Sequence, residues 1–331
     1  MKALICGVTG QDGAYLAQLL LGKGYEVFGT SRDAQMSSFA NLKHLGIDDS
    51  VVKLSVAIND FRSVLQAIQR VEPDEIYNLA GQSSVGLSFE QPVETLESTS
   101  IGVLNLLEAI RFTGRSIKFY NAGSSEVFGD THGIAANEQT PFHPMSPYAV
   151  GKASAYWIVA NYREAYNLFA CTGILFNHES PLRPLRFVTR KIVAAACRIA
   201  AGSREKLRLG NIAISRDWGW APEYVEAMLH MLKCDEPADF VVATGRQRKL
   251  EDFISLAFDA VSLDWHDHVE IDPALYRPSD ILVSYGDSSK ARTLLGWQAG
   301  SGLEEIVARM MDAEAKTYSG KNQDAASGRK Q

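Results

Sequence analysis

The sequence predicts an α/β fold built on a doubly wound parallel sheet, with a smaller, mixed α/β lobe at the C-terminal end. Short apolar runs of strand length alternate with helical patterns in the first half of the 331 residues. The first run passes directly into a glycine-rich turn and a helix. After about residue 170 the alternation loses its regularity, and loop-rich sequence occupies 178–186 and 272–284.

The elements follow from this pattern in chain order. Apolar runs bounded by polar or glycine-rich sequence predict strands, and longer periodic segments predict helices. The predicted strands are 2–8, 26–30, 75–79 and 117–122, and the predicted helices are 14–22 and 95–112. We predict a nucleotide-binding domain over 1–170, to which segments near 211–235 return, a substrate lobe over 171–318 and a disordered tail over 319–331.

Composition excludes several classes of protein. With 46% hydrophobic residues the chain can bury a substantial core, and its net charge of −6 with no basic stripe argues against a nucleic-acid partner. Cys6, Cys171, Cys197 and Cys234 form no CxxC pair, so we expect reduced thiols and no zinc knuckle. The sequence shows no signal peptide and no membrane span, which favours the cytoplasm. No metal site is expected, because the pair at 266 and 268 lacks further ligands at metal spacing.

The turn after the first strand reads Gly7-Val8-Thr9-Gly10-Gln11-Asp12-Gly13. Glycines in this spacing allow a tight turn and close approach of a pyrophosphate, which the N–H groups of the following helix can bind. Because strand, turn and helix occur in the required order, the segment indicates a Rossmann-type dinucleotide site.

The second strand is expected to end near the adenosine ribose, where a carboxylate is typical of NAD sites. This chain instead has Ser31 followed by Arg32, and a guanidinium there can bind a 2′-phosphate. NADP is therefore favoured over NAD. Asp33 weakens this prediction, since its carboxylate could pair with Arg32 or repel the phosphate.

Tyr148 and Lys152 are four residues apart at the predicted start of a helix, so both side chains project from one face. A lysine ammonium can stabilise an ionised phenol beside it, and such a phenolate can exchange protons with a sugar hydroxyl. Ser124 follows the strand at 117–122 and lies at the sheet edge where parallel sheets bind ligands. With the glycine-rich turn, these three residues resemble the extended short-chain dehydrogenase/reductases.

The resemblance becomes more specific over roughly residues 3 to 300. The chain is similar to the GDP-mannose 4,6-dehydratase family in segments that include 78–83 (NLAGQS), 124–126 (SSE), 173–181 (GILFNHESP), 187–191 (FVTRK), 216–219 (RDWG) and 277–278 (RP). The FNHESP and RDWG segments are far more specific than the general superfamily signature.

This resemblance implies the redox-neutral dehydration of GDP-D-mannose to GDP-4-keto-6-deoxy-D-mannose, with tightly bound NADP as both acceptor and donor of a hydride. Tyr148, supported by Lys152, would remove the 4-hydroxyl proton, and Ser124 would hydrogen-bond the developing ketone. Glu126 would remove the C5 proton and help expel the 6-hydroxyl as water. Glu126 thus separates a dehydratase from a plain reductase, which needs no second base.

The resemblance also implies binding residues. Those for the cofactor are Gly7, Thr9, Gly10, Gln11, Asp12, Gly13, Arg32, Leu79, Ala80, Gln82, Tyr148, Lys152, His178 and Arg183. Those for the substrate are Ser83, Ser125, Asn177, Val188, Lys191, Arg216 and Arg277. Separated Lys and Arg residues suit a diphosphate, because they can converge on it without forming a surface stripe. The resemblance further implies a homodimer or homotetramer, with helices 95–112 and 148–166 as candidates for the dimer contact.

Some positions depart from the family pattern. Asp33 replaces the second arginine of a pair, Ser124 replaces a threonine, Ala57 replaces an aspartate near the adenine, and 184–186 reads Pro-Leu-Arg. The alternatives are a nucleotide-sugar 4-ketoreductase or epimerase, a dehydratase for another GDP-sugar, and a silent nucleotide-binding protein. The intact Ser124, Glu126, Tyr148 and Lys152 argue against the last.

Overall fold

The computed structural model describes residues 1–327, of which those from 318 onward are described by their backbone alone. The strands are β1 Lys2–Cys6, β2 Glu26–Ser31, β3 Val51–Ser55, β4 Glu75–Asn78, β5 Lys118–Ala122, β6 Ala170–Leu175, β7 Asn177–Glu179, β8 Leu207–Leu209, β9 Ser215–Trp220, β10 Phe240–Val242, β11 Gln247–Lys249, β12 Val269–Ile271 and β13 Val283–Ser284.

The α-helices are α1 Gln11–Gly22, α2 Ala40–His44, α3 Phe61–Val71, α4 Val85–Glu90, α5 Pro92–Leu96, α6 Gly102–Thr113, α7 Pro147–Tyr166, α8 Val188–Ala200, α9 Ala221–Lys233, α10 Leu250–Asp259, α11 Ser289–Leu295 and α12 Leu303–Ser327. A π-helical turn, Glu97–Ile101, joins α5 to α6.

Seven strands form one parallel sheet in the order β10-β6-β5-β4-β1-β2-β3. Connections leave β1 in opposite directions toward β2 and toward β4, and ligands bind at such a reversal beyond the carboxyl ends of the strands. The predicted parallel α/β sheet of Rossmann type is confirmed. Strands β6 and β10 lie at or beyond residue 170, so the large sheet extends past the first predicted domain, while the domain division itself stays a prediction.

Alternate residues of β1 supply the cores on both faces of this sheet. Ala3 and Ile5 pack with α1 and α9, whereas Leu4 and Cys6 pack with α3, α6 and α7. A third core, between α8, α10 and α12, belongs to the C-terminal lobe. The α9 helix therefore covers the nucleotide-binding sheet, although it follows the start of the C-terminal lobe in sequence.

The chain passes from the large sheet to a small one through a single residue, Phe176, between β6 and β7. In the small sheet β9 pairs with β7, β11 and β13, and only β11 is antiparallel. The loop after β5 also contacts this lobe, since Asp130 Oδ2 accepts a hydrogen bond of 2.8 Å from the Leu282 N–H. These connections place the small sheet against the carboxyl edge of the large sheet.

The element boundaries differ from the sequence expectations for local reasons. The predicted strand 2–8 ends at Cys6, because Gly7 turns the chain with φ of 86°. The predicted helix 14–22 begins at Gln11, directly after the N-cap Gly10. The predicted tail over 319–331 stays a prediction: α12 is described through Ser327, and 328–331 lie outside the described residues. Within residues 1–327, no helix combines the length and apolar character that a membrane crossing requires.

A substitution at Gly13 tests how closely α1 packs on the glycine turn. A Cβ at this position would lie 2.4 Å from the Gly7 carbonyl oxygen and 2.7 Å from Val8 Cα, so backbone would have to move. We expect Gly13→Ala to lower the free energy of unfolding by about 2–4 kcal/mol, measured by urea denaturation.

Gly22→Ala is the matched control, because a Cβ at this exposed end of α1 meets nothing within 4 Å. It is expected to be neutral or to stabilise the protein by up to about 1 kcal/mol. Equal stability of the two variants would contradict the close contact at Gly13.

Candidate active site

A cleft of about 1000 Å³ runs along the carboxyl edge of the large sheet and continues between the two lobes. It is lined by all fourteen residues predicted for the cofactor, by Ser124 and Glu126, and by six of the seven predicted for the substrate. Ser125 is the exception: it is 3% exposed and does not line the cleft. It opens the 3₁₀ turn Ser125–Phe128, which places it in the interior.

The glycine turn leaves the start of α1 open to a ligand. Gly7 has φ of 86°, and a Cβ there would lie 2.9 Å from the backbone of Leu79 and Ala80. Gly10 is the N-cap of α1 and offers no side chain to its free N–H groups. A 12-residue helix that begins in this way at a cleft suits an anion such as a pyrophosphate.

Gln11 and Asp12 connect this turn to the start of the small sheet. The His178 Nε2 atom lies 2.9 Å from Asp12 Oδ2, and the Gln11 amide donates to the His178 carbonyl at 3.2 Å. Burial by itself would lower the pKa of His178, but the Asp12 carboxylate outweighs it, and the pKa is raised. Burial opposes ionisation of Asp12 too, yet His178 holds the pKa of that carboxyl below its usual value. Each residue of the pair thus favours the charged form of the other.

Arg183 lies beside this pair. Its guanidinium donates to the His178 carbonyl at 2.9 Å, forms an ion pair of 3.0 Å with the buried Glu179, and lies 4.1 Å from the centre of the Phe187 ring. These contacts hold one cation at the boundary between the predicted cofactor and substrate sites.

The end of β2 differs from the pairing that the sequence suggested. Asp33 does not pair with Arg32, because its Oδ1 accepts the N–H groups of Gln35 at 2.9 Å and Met36 at 3.1 Å. Arg32 instead forms a 2.7 Å ion pair with Glu94 of α5. Sequence reasoning missed Glu94, since nothing local to either residue indicates that positions 62 apart meet.

The predicted catalytic side chains meet at the C-terminal end of β5. Ser124 follows β5 closely, and its Oγ accepts the Glu126 N–H at 3.3 Å. Tyr148 and Lys152 lie in the first turns of α7, which begins with Ser146 as N-cap and Pro147 as first residue. In the described part of the chain the Glu126 carboxylate makes no hydrogen bond or ion pair, so it is free to act on a ligand.

Burial governs the ionisation of the two α7 residues. It raises the pKa of the Tyr148 phenol to about 12, partly offset by the hydroxyl of Ser124. It lowers the pKa of the Lys152 amine to about 8. The Lys152 Nζ atom lies 5.8 Å from the centre of the Tyr148 ring and donates to the Ala122 carbonyl at 2.8 Å. In this structure the lysine therefore contacts β5 rather than the phenol oxygen.

Cations surround the half of the cleft in the C-terminal lobe. Arg216 is 5% exposed and donates to the Ser215 carbonyl at 2.9 Å. Burial lowers the pKa of its guanidinium, and the charge of Glu126 opposes that shift. Lys191 and the exposed Arg277 also line this half, as does Arg186, which sequence reasoning did not assign. The charges suit an anionic ligand. Over residues 1–317, where side chains are described, no group of three or more His, Cys, Asp or Glu side chains is arranged to bind a metal.

Comparison with known proteins agrees with this geometry. The family profile described as GDP-mannose 4,6 dehydratase matches residues 4–310. GDP-mannose 4,6 dehydratase 2 of Arabidopsis thaliana is 48% identical over 322 residues, covering 94% of this chain and 86% of that protein.

Solved structures share the whole fold. UDP-glucose 4-epimerase from Thermus thermophilus, solved with NAD, has a TM-score of 0.83 and 25% identity, and the match covers 95% of this chain and 99% of the epimerase. The dTDP-glucose 4,6-dehydratase DesIV from Streptomyces venezuelae has a TM-score of 0.86 at 20% identity, and the match covers 96% of this chain and 98% of DesIV.

The Asp12–His178 pair predicts a pH-dependent stability. Because the pKa of His178 is raised above 6.5, its contribution is fully present below that value and is lost as the pH rises through the raised pKa. Because the pKa of Asp12 is lowered below 3.8, its contribution is present above that value and is lost at more acidic pH. His178→Gln is therefore expected to cost about 1–3 kcal/mol near pH 6 and clearly less near pH 9.

The measurement is urea unfolding of both proteins at the two pH values. His44→Gln, at an exposed position in α2, is the control and is expected to change stability by less than about 0.5 kcal/mol at either pH. A cost of His178→Gln that does not change with pH would contradict an ionised pair.

Proposed function

Because the chain belongs to the GDP-mannose 4,6-dehydratase family, we infer that it catalyses the redox-neutral dehydration of GDP-D-mannose to GDP-4-keto-6-deoxy-D-mannose. The observation that carries this conclusion is the free carboxylate of Glu126 in the same cleft as Ser124, Tyr148 and Lys152. A 4-ketoreductase has no step that requires this second base. A reductase is therefore not favoured, and membership of this family disfavours an epimerase or a dehydratase for another GDP-sugar.

The residues of the glycine turn fit a nicotinamide dinucleotide. Gly7 and Gly13 let the turn pack closely against backbone that a Cβ at either position would meet at 2.9 Å or less, and the start of α1 offers N–H groups to a pyrophosphate. When bound, this cofactor supplies an acceptor for the hydride of the sugar C4 and a donor of a hydride to C6. The reaction then needs no external oxidant, and Lys152 and His178 are proposed to help hold the cofactor.

Tyr148 is the proposed base for the sugar 4-hydroxyl. Burial favours its neutral phenol, so a hydrogen bond from Ser124 and the positive charge of Lys152 are needed to favour the phenolate. Ser124 is then proposed to donate to the oxygen of the 4-ketone, which acidifies the hydrogen on C5.

Glu126 is the proposed base for that C5 proton. Removing it creates a carbanion stabilised by the 4-ketone, and Glu126 would pass this proton to the 6-hydroxyl, which leaves as water. The resulting C5=C6 double bond would receive the stored hydride at C6 and, at C5, the proton that Tyr148 took from the 4-hydroxyl, so the sugar loses one water overall. Arg216 lies close enough to Glu126 for the charge of the carboxylate to oppose the lowering of the Arg216 pKa by burial.

The diphosphate of the GDP-sugar is proposed to bind the cations of the C-terminal lobe. Arg216, Lys191 and Arg277 line one half of the cleft, and the first turn of α8 at Val188 faces the same space. Asn177 and Ser83 are the proposed polar contacts. Ser125 is not retained as a substrate contact, because it is buried away from the cleft.

NADP is the proposed form of the cofactor, since Arg32 at the end of β2 offers a guanidinium to a 2′-phosphate. NAD is disfavoured because the residue directly after β2 is Arg32. It has no carboxylate that could accept hydrogen bonds from the ribose hydroxyls. The proposed location is the cytoplasm, and the four unpaired cysteines suit a reducing compartment.

A homo-oligomer is proposed from the outer faces of α6 and α7. Val150 and Trp157 are seven residues apart on one side of α7 and are 46% and 63% exposed, and Ile101 before α6 is 44% exposed. Exposed apolar side chains grouped on neighbouring helices are typical of a protein interface. A dimer through these helices is the simplest closed assembly, and a tetramer would need a further contact.

The dehydration is tested by incubating the protein with GDP-mannose and NADP in deuterated water. We expect a product lighter than GDP-mannose by one water, apart from deuterium at C5, without net reduction of the cofactor. Mass spectrometry gives the product, and absorbance gives the state of the cofactor. Other GDP-, UDP- and dTDP-sugars serve as comparison substrates, and preferential conversion of one of them would overturn the assignment of GDP-mannose.

Glu126→Gln tests the second base. The substitution keeps the shape of the side chain but cannot accept the C5 proton, so kcat for product formation is expected to fall by about 10²–10⁴-fold. Deuterium incorporation at C5 is expected to fall with it. The control is Glu236→Gln, an exposed residue after α9, which is expected to keep the full rate. A near-normal rate of product formation in Glu126→Gln would show that Glu126 is not the base that removes the C5 proton.

Trp157→Glu tests the proposed dimer. A carboxylate in the middle of an apolar interface loses its hydration, so this variant is expected to be a monomer at micromolar concentration. Leu294→Glu is the control, because Leu294 is equally exposed, at 62%, on the distant α11. Light scattering after size exclusion should give an unchanged assembly for Leu294→Glu, whereas a Trp157→Glu protein of unchanged mass would exclude this face.

A further inference from the structure

The mouth of the cofactor half of the cleft is bridged by one ion pair. Arg32 follows β2 and Glu94 lies in α5, and the guanidinium Nη2 and carboxylate Oε1 are 2.7 Å apart. Both residues line the cleft, as do Ser31 and Ser37, whose hydroxyls are 3.0 Å apart. The pair therefore lies where the second strand of the sheet meets a dinucleotide.

Glu94 is the anion that occupies Arg32 in the described part of the chain. Among residues 1–317, whose side chains the structure describes, the guanidinium makes no second hydrogen bond or ion pair, and its side chain is 78% exposed. Asp33, the neighbouring carboxylate, is turned away because it accepts two backbone N–H groups of its own loop. The charge on Arg32 is thus balanced by a residue from a different part of the fold.

A 2′-phosphate and Glu94 would need the same guanidinium. At neutral pH the phosphate carries about −1.5 to −2 charge and Glu94 carries one negative charge, so both on one cation repel each other. The exposed ion pair itself is weak, which means that a phosphate can displace it. A ribose hydroxyl has no charge and gains nothing from the loss of Glu94.

From these contacts we propose that Glu94 is a specificity-determining residue that competes with the cofactor 2′-phosphate for Arg32. It lowers the affinity for NADP while leaving that for NAD unchanged, and so narrows the difference between the two cofactors. This inference rests on the proposed nicotinamide dinucleotide site but not on the sugar substrate. The proposal gives α5 an effect on the choice between NADP and NAD. The glycine turn and β2 alone then do not determine that choice.

The test is the binding of NADP and NAD to the full chain freed of nucleotide, with Glu94→Gln compared to wild type by calorimetry. We expect the Kd for NADP to fall about three- to tenfold and the Kd for NAD to change less than about twofold. The Kd values for 2′-phospho-ADP-ribose and ADP-ribose should respond to Glu94→Gln as those for NADP and NAD do. These two probes also differ by the 2′-phosphate, and both lack the nicotinamide.

Glu97→Gln is the matched control. Glu97 is exposed one turn further along the same helical segment, does not line the cleft and makes no ion pair with Arg32. It removes the same charge from the protein, and the ratio of the two Kd values is expected to stay within about twofold of wild type, because Glu97 does not compete for the Arg32 guanidinium. If Glu97→Gln changed the two Kd values as much as Glu94→Gln, the cause would be long-range electrostatics. That result would overturn the proposal.

Arg32→Ala supplies the second half of the test. In this background Glu94→Gln should no longer change the ratio of the two Kd values beyond about twofold, because the shared cation is gone. The effect of Glu94→Gln in the wild-type background is also expected to shrink toward none at about 1 M salt.

Three results would overturn the inference: no change in the NADP Kd, a weaker NADP Kd in Glu94→Gln, or equal strengthening of NADP and NAD. The second would make Glu94 a residue that orients Arg32 for the phosphate. Because binding is measured without sugar, these outcomes are separate from a failure of the dehydration assay. A wild-type protein that prefers NAD would contradict the proposed NADP preference, yet the change on Glu94→Gln would still be measurable.

Discussion

The way Phe176 is held determines how the two halves of the active-site cleft face each other. This residue alone separates β6 of the large sheet from β7 of the small one. Its N–H donates to the Val242 carbonyl at 3.0 Å, and its ring stacks on Phe128 with 6.2 Å between centres. Because two strands start and end at this point, a shift of Phe176 would move the nucleotide turn relative to Arg216 and Lys191.

Polar contacts of His178, next to the passage of the chain from one sheet to the other at Phe176, also hold the two halves together. His178 lies two residues beyond Phe176, and its Nδ1 atom is 2.7 Å from the Phe176 carbonyl while Nε2 faces Asp12. The imidazole thus links this passage to the first turn of α1. The packing of Phe176 on Phe128 sets the distance between the sheets. The contact between Asp12 and His178 sets the position of the glycine turn against the C-terminal lobe.

Much of the fold could be predicted from the sequence, because its signals are local. Alternating apolar runs predict the parallel sheet, the turn from Gly7 to Gly13 predicts the dinucleotide site at its edge, and the spacing of Tyr148 and Lys152 places both on one helix face. The pairs Asp12–His178 and Arg32–Glu94 could not be predicted, since each joins positions that only the completed fold brings together. The small sheet was equally hidden, because several of its strands have two or three residues and show no period.

Several sides of the α7 helix are constrained along its first turns. Its inner face carries Tyr148 and Lys152, its outer face carries Trp157, and a Cβ on Gly151 would lie 2.2 Å from Thr99 Oγ1 in the π-helical turn. The contact at Gly151 fixes how closely α7 approaches the π-helical turn, independently of the roles proposed for Tyr148, Lys152 and Trp157. Sequence drift in this protein has more room in the loops that surround the cleft than on the buried face of this helix.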